Sequence, residues 1–182
     1  MALYFQYGRY LLLSSSRYPA KLPANLQGKW NPYFEAPWQS DYHTNINLQM
    51  NYWPADVANV GETVEPLGRF MQAMLVPGKN AAEKMYGAKG WMMHHVTDIY
   101  GRIALNADPQ WGTSPLAGAW MALSLYDHYD FSRDEKYLKE VAFPLMKGSA
   151  DFISSFLIKD KNGYLVTAPS MSPENGFYLP GD

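Results

Sequence analysis

The sequence contains no cysteine. Disulfides and thiolate metal sites are excluded, while the compartment stays open, because many secreted proteins also lack disulfides. Charge is sparse and balanced: fifteen basic side chains stand against seventeen acidic ones, for a formal net charge of −2. No basic stripe exists to track a phosphate backbone, so no nucleic-acid partner is expected. No run reaches the roughly 20 apolar residues of a membrane span. The start, MALYFQYGRYLLLSSSR, has no basic segment ahead of its apolar part and no clear small-residue cleavage site, so it reads as a helix rather than a signal peptide. The only imidazoles are His43, His94, His95 and His128, and no H-x-x-x-H spacing puts two of them on one helix face. No metal or other cofactor is expected. GTSPL at 112–116 lacks the second glycine of a nucleophile elbow, and no glycine loop is built to cradle phosphate.

What the sequence does have is apolar and aromatic. At 182 residues and 47% apolar content it is sized for one domain with a sizeable core. Six Trp and fourteen Tyr stand out. Aromatics carry much of any core's buried area. They also stack on the apolar face of a pyranose, and both uses stay open on composition alone.

Hydrophobic periodicity predicts a mostly helical chain. Residues 3–14 read as a helix with Leu3, Tyr7, Tyr10, Leu11 and Ser14 at helical spacing. Residues 15–42 read as a long loop, interrupted by Pro19, Pro23, Pro32 and Pro37. Residues 48–60 form a helix broken near Pro54, and 65–86 one or two helices interrupted around VPGKN. Residues 115–129 are apolar nearly all round, with Leu116, Ala119, Trp120, Leu123 and Tyr126 on one side and Met121, Leu125 and Tyr129 on another, the mark of an inner helix. The next segment opens with Ser132 and Glu135 in capping-box spacing and places Leu138, Val141, Leu145, Phe152 and Phe156 on one stripe, the mark of an outer helix. Lys161, Asn162 and Gly163 make a turn before a short strand at YLVT, and a Pro- and Gly-rich loop follows. Inner and outer helices in alternation imply a two-layer helical array with polar loops at one end, where function usually lies.

The stretch DYHTNINLQMNYWPAD, residues 41–56, concentrates neutral hydrogen-bonding groups among aromatics. In an extended segment Asn45 and Asn47 point to the same side. A carboxamide offers both an acceptor and donors, which suits sugar hydroxyls or a held water, and equally suits buried backbone groups. Glu174, in SPENG, has no Lys or Arg within ten residues. It is either a solvated loop carboxylate or an acid. Asp98, in HHVTDIYG, is either a turn cap or a hydrogen-bonding group of a site.

Together the segments YFQYGRYLLLSSSR, LPANLQGKWN, PWQSDYHTNINLQMNYWPADVAN, HHVTDIYG and GYLVTAPSMSPENGF, in this order and at these spacings, resemble the catalytic region of the glycoside hydrolase family 95 α-L-fucosidases. The resemblance implies an all-α fold, part of an (α/α)6 barrel, with active-site loops at one end. It implies cleavage of terminal α-L-fucose, α-1,2-linked to galactose in an oligosaccharide, with inversion, no cofactor, and an extracellular or periplasmic setting. Matched motif by motif, Glu174 corresponds to the general acid, and Asn45 and Asn47 to the amides that position the attacking water. His43 and Trp111 line the sugar pocket, and His95 and Asp98 stand beside them as further substrate-binding candidates. An inverting glycosidase keeps its acid and its water-activating group roughly 6.5–9.5 Å apart. An amide cannot take the water's proton, and in the family a later carboxylate receives it. An apolar, aromatic enclosure around Glu174 is expected.

Six inner and six outer helices need far more chain than 182 residues. The expectation is therefore a single partial catalytic domain, residues 1–182, forming the first half of the barrel and inactive alone. Half a barrel turns inner helices toward water, so self-association or recruitment of the missing half is expected. Val96 and Tyr100 stand where the family pattern has Asn and Trp. They bear on the exact sugar and leave an α-L-galactosidase as the alternative enzyme. A non-catalytic sugar-binding protein is the alternative of another class.

Overall fold

The computed structural model describes residues 1–106 and 108–175. Helix α1 covers Ala2–Ser16. It forms where the periodicity predicts, but its buried residues are Leu12, Ser15 and Ser16, while Leu3, Tyr7 and Tyr10 of the expected stripe face solvent. The buried side is chosen by its polar ties. Arg9 Nε donates to the Ala58 carbonyl at 2.8 Å, and the Ser16 hydroxyl lies 2.7 Å from the Tyr52 hydroxyl. A loop follows and ends in a 3-10 turn, Pro37–Ser40, whose Trp38, Gln39 and Ser40 all have positive φ.

Strand β1, Tyr42–His43, is followed by α2, Asn47–Tyr52, and α3, Pro54–Val57; the break at Trp53 lies where Pro54 predicts it. Helices α4, Val64–Ala73, and α5, Leu75–Tyr86, meet at Met74 rather than at VPGKN. Pro77 falls in the first turn of α5, where a missing N–H breaks no helical bond. Gly87, at φ 59°, ends α5. Strand β2, Val96–Thr97, precedes α6, Pro109–Gly112, and α7, Ala117–Ser132. A nearly continuous helix then runs through α8, Glu135–Tyr137, a π turn, Leu138–Ala142, and α9, Phe143–Phe156. Its cap is Asp134, which accepts from the amides of Lys136 and Tyr137, rather than Ser132, which is the last residue of α7. Strands β3, Ile158–Lys159, and β4, Leu165–Val166, form a hairpin. The expected C-terminal loop is described as far as Asn175, and its remainder lies outside the described residues.

Leu145, Phe152 and Phe156 of the outer stripe are buried as expected, with Leu138 and Val141 packed at its edge. Helix α7 is apolar on two sides, of which one is covered. It buries Met121, Ala122 and Leu125 against its neighbours α4 and α9, but Trp120, Leu123, Tyr126 and Phe131 are exposed. Its second apolar side has no cover among the described residues. No described helix is long and apolar enough to cross a membrane.

Trp91 locks the helices together. It is 0% exposed, and its Nε1 donates to the Leu145 carbonyl at 2.8 Å. A Cβ built on Gly78 of α5, Gly118 of α7 or Gly148 of α9 would approach the Trp91 ring to 3.1, 3.0 and 2.6 Å respectively. Three helices thus leave out a side chain so that one indole can sit between them. Gly148→Ala should therefore lower stability by about 1–3 kcal/mol through overpacking. Gly8→Ala, on the open face of α1 with nothing within 4 Å, should raise it by up to about 1 kcal/mol. Chemical denaturation of the two variants checks this, and equal effects would rule out the close fit.

Candidate active site

The pairing of β1 with β2 builds the site. Tyr42 lies opposite Thr97 and His43 opposite Val96, so DYHTN and HHVTD become neighbours. Tyr42 and Thr97 are buried, and the Tyr42 ring packs 4.7 Å from that of Phe70. Thr44 extends the pairing. Its amide donates to the His95 carbonyl at 2.6 Å, and its hydroxyl to the His94 carbonyl at 2.8 Å. Gln49, on the first turns of α2, donates to the Thr44 carbonyl at 2.7 Å.

This network turns the chain sharply after Thr44. Asn45 and Ile46 lie in a turn and Asn47 opens α2, so the two amides are carried on a turn into a helix rather than on an extended segment. The turn's hydrogen bonds run through Thr44 and Gln49, which leaves both amides outside them. Asn45 is half-buried and Asn47 exposed.

Two imidazoles line the same end. The rings of His43 and His95 are nearly parallel, 7° apart in plane, with centroids 6.4 Å apart. Asp41, buried, brings Oδ1 to 3.4 Å from His43 Nε2, a charge contact rather than an aligned hydrogen bond. Burial raises the Asp41 pKa, the charges of His43 and Arg102 oppose this, and Asp98 adds to it. His95 is lowered, by burial first and then by His43, against the opposing pull of the Gly112 carbonyl and the Glu174 carboxylate. Its Nδ1 is buried without a partner among the described residues.

The influence of Glu174 on His95 brings the acid candidate to the same end of the molecule. Its loop hangs on the segment after α6: the Met171 amide donates to the Thr113 carbonyl at 2.7 Å, and the Asn175 amide to Ser172 at 2.8 Å. Glu174 itself is exposed, so the described residues do not supply the expected apolar enclosure. Trp111, on α6, is 46% exposed. Asp98 is engaged by its own loop, accepting from the amides of Tyr100 at 2.9 Å and Arg102 at 3.3 Å, with Arg102 Nε at 3.4 Å. Among the described residues no three His, Asp or Glu side chains converge as metal ligands. A wide apolar cavity of about 750 Å³ lies instead beside α1, lined by Tyr4, Phe5, Leu12, Trp30 and Pro54, away from these groups.

The sequence alone did not single out Asp41, the neighbour of His43, or His94. Asp41 and His43 are two apart, the spacing that puts both on one side of a strand. His94, adjacent to His95, turns the other way and is 1% exposed. Two adjacent histidines in WMMHHV, of which only one can face the His43 side, were the available signal.

The model of the glycosyl hydrolase family 95 catalytic domain matches residues 1–182. The chain belongs to glycosyl hydrolase family 95. Among curated relatives, alpha-L-fucosidase 2 of Arabidopsis thaliana is 44% identical over 179 residues, covering 98% of this chain and 21% of that protein. Probable alpha-fucosidase A of Aspergillus niger is also 44% identical over 179 residues, covering 96% of the chain and 22% of that protein. This family 95 chain thus spans about a fifth of the length of these relatives. In fold it is similar to a putative kojibiose phosphorylase from the human microbiome, with a TM-score of 0.66 at 14% identity over 87% of this chain and 22% of that one. That neighbour has an α/α barrel, and the helical layers described above are part of such a barrel.

Burial, and secondarily His95, pushes the His94 pKa down to about 4. The folded protein therefore resists protonating His94. The stability this contributes is complete above about pH 6.5 and is lost as pH falls toward 4, a change on the order of 3 kcal/mol. Urea midpoints measured across that window should fall less steeply in His94→Asn than in the parent, and identical slopes would remove His94 from the acid response.

Proposed function

We propose that this family 95 chain carries part of the active site of an inverting α-L-fucosidase, which removes terminal α-1,2-linked α-L-fucose from a fucosylated oligosaccharide. The observation that carries this reading is the pairing of β1 with β2, which brings His43 and the turn bearing Asn45 and Asn47 beside His95, whose burial-lowered pKa the Glu174 carboxylate pulls upward. The alpha-fucosidase names of the relatives support the sugar.

In this reading Glu174 protonates the leaving oxygen, and Asn45 and Asn47 hold a water on the opposite face of the sugar. An amide orients that water through its carbonyl oxygen without accepting its proton at neutral pH. Proton removal needs a base other than these amides. His43, braced by Asp41, and His95 offer hydrogen bonds to the sugar hydroxyls, and Trp111 offers a stacking face. A second reading, an α-L-galactosidase on the same barrel, is favoured by Val96, an apolar side chain opposite His43 where the family pattern has Asn. L-galactose differs from L-fucose only by a hydroxyl at carbon 6, so comparing release of the two sugars separates the readings.

In protein containing the complete barrel, Glu174→Gln should lower turnover of unactivated fucosides about 10²–10⁴-fold and spare those with good leaving groups. Equal losses on both would sink the acid role. Asn47→Ala should reduce turnover more than it weakens a competitive inhibitor, and matching losses would assign Asn47 to ground-state binding instead.

A further inference from the structure

We propose that His94 is a positioning residue for the acid-bearing loop: it grips one side of the peptide plane between Thr113 and Ser114, whose other side is the anchor of that loop. This deepens the fucosidase reading and rests on it for its catalytic consequence.

The Ser114 amide donates to His94 Nδ1 at 3.2 Å. The Thr113 carbonyl accepts from the Met171 amide at 2.7 Å. These two groups belong to one trans peptide unit, which is planar and points its N–H and C=O in opposite directions. Whatever fixes the N–H direction therefore aims the carbonyl. Thr113 has φ −77° and ψ 78°, and Ser114 N also reaches the Gly112 carbonyl at 2.8 Å, the geometry of an inverse γ-turn. Such a turn alone is a weak restraint, and His94 supplies the second acceptor from outside it.

The ring is itself held at its other nitrogen. Nε2 lies 3.4 Å from the Tyr86 hydroxyl. Because Nδ1 receives a proton donor it carries no hydrogen, so the ring hydrogen resides on Nε2 and points to the Tyr86 oxygen. A pKa near 4 keeps the ring neutral, and the Nδ1 lone pair available, at neutral pH. The His94 backbone carbonyl meanwhile accepts from the Thr44 hydroxyl at 2.8 Å, directly before Asn45. One buried residue thus sets the acid's loop and the water-positioning turn in a common frame.

The test uses His94→Asn, whose carbonyl oxygen can replace Nδ1 as acceptor, and His94→Leu, which fills space without accepting. Amide exchange at Met171, taken relative to the hairpin amide of Gly163, should rise about tenfold or more in His94→Leu and stay within about threefold of the parent in His94→Asn. In protein containing the complete barrel, His94→Leu should cost unactivated fucosides about tenfold more than fucosides with good leaving groups, with inhibitor affinity kept. Nitrogen-15 shifts of the parent protein should put the ring hydrogen on Nε2. A hydrogen on Nδ1, unchanged Met171 exchange in His94→Leu, or Asn no better than Leu would each overturn the proposal. Should the parent protein release no fucose, the fucosidase reading fails, while exchange and ring shifts still decide what His94 holds.

Discussion

The seat of Trp91 is the contact on which the rest depends. A single indole fills the space left by glycines on α5, α7 and α9, and its N–H is satisfied by the Leu145 carbonyl. Truncating a buried aromatic of this size typically costs about 3–5 kcal/mol, a large share of a domain's stability. Trp91 also stands three residues before His94. Packing and chemistry are therefore coupled by covalent proximity: the segment that wedges the helices apart at a set distance continues directly into β2 and the two imidazoles.

From that wedge outward the site is assembled by short polar links rather than by a large sheet. Two strands of two residues each would be marginal alone. Thr44 adds a backbone and a side-chain hydrogen bond to the ladder, and Gln49 ties the start of α2 to it. Buried polar links of this kind are costly when half-satisfied. Among the described residues four buried side-chain atoms lack a hydrogen bond; Asp41 Oδ1, Gln49 Oε1 and His95 Nδ1 belong to this end of the molecule, and the fourth, the Tyr137 hydroxyl, is on α8. Unmet hydrogen-bonding capacity gathered at one place is what a polyhydroxylated ligand can use.

Likeness of fold and likeness of site lead to different conclusions. The kojibiose phosphorylase neighbour shares the helical frame at 14% identity, which speaks only to architecture. Membership in family 95 comes from the sequence, with 44% identity running through nearly the whole chain. The barrel is a scaffold that many chemistries share, so the proposed chemistry rests on the residues it carries and not on the frame.

The sequence by itself determined where helices run and which residues carry reactive groups. Helix existence follows from side chains three and four apart, so α1, α7 and the stripe from Leu138 to Phe156 were legible, while the amides and Glu174 took on roles only through the family resemblance of their motifs. Only the tertiary structure decided which faces are covered. The Leu3, Tyr7 and Tyr10 side of α1 and the Trp120, Leu123 and Tyr126 side of α7 look like core in periodicity, yet both are exposed. Periodicity reveals that an apolar face exists, but its burial depends on elements distant in the chain. The same limit applied to the site. Asn45 and Asn47 are turned into a helix by bonds from Thr44 to residues about 50 positions on, and the two ring nitrogens of His94 find Ser114 and Tyr86 only in the fold. Local propensity acts over a few residues; the geometry of a site is set by contacts that chain connectivity leaves open until the core has packed.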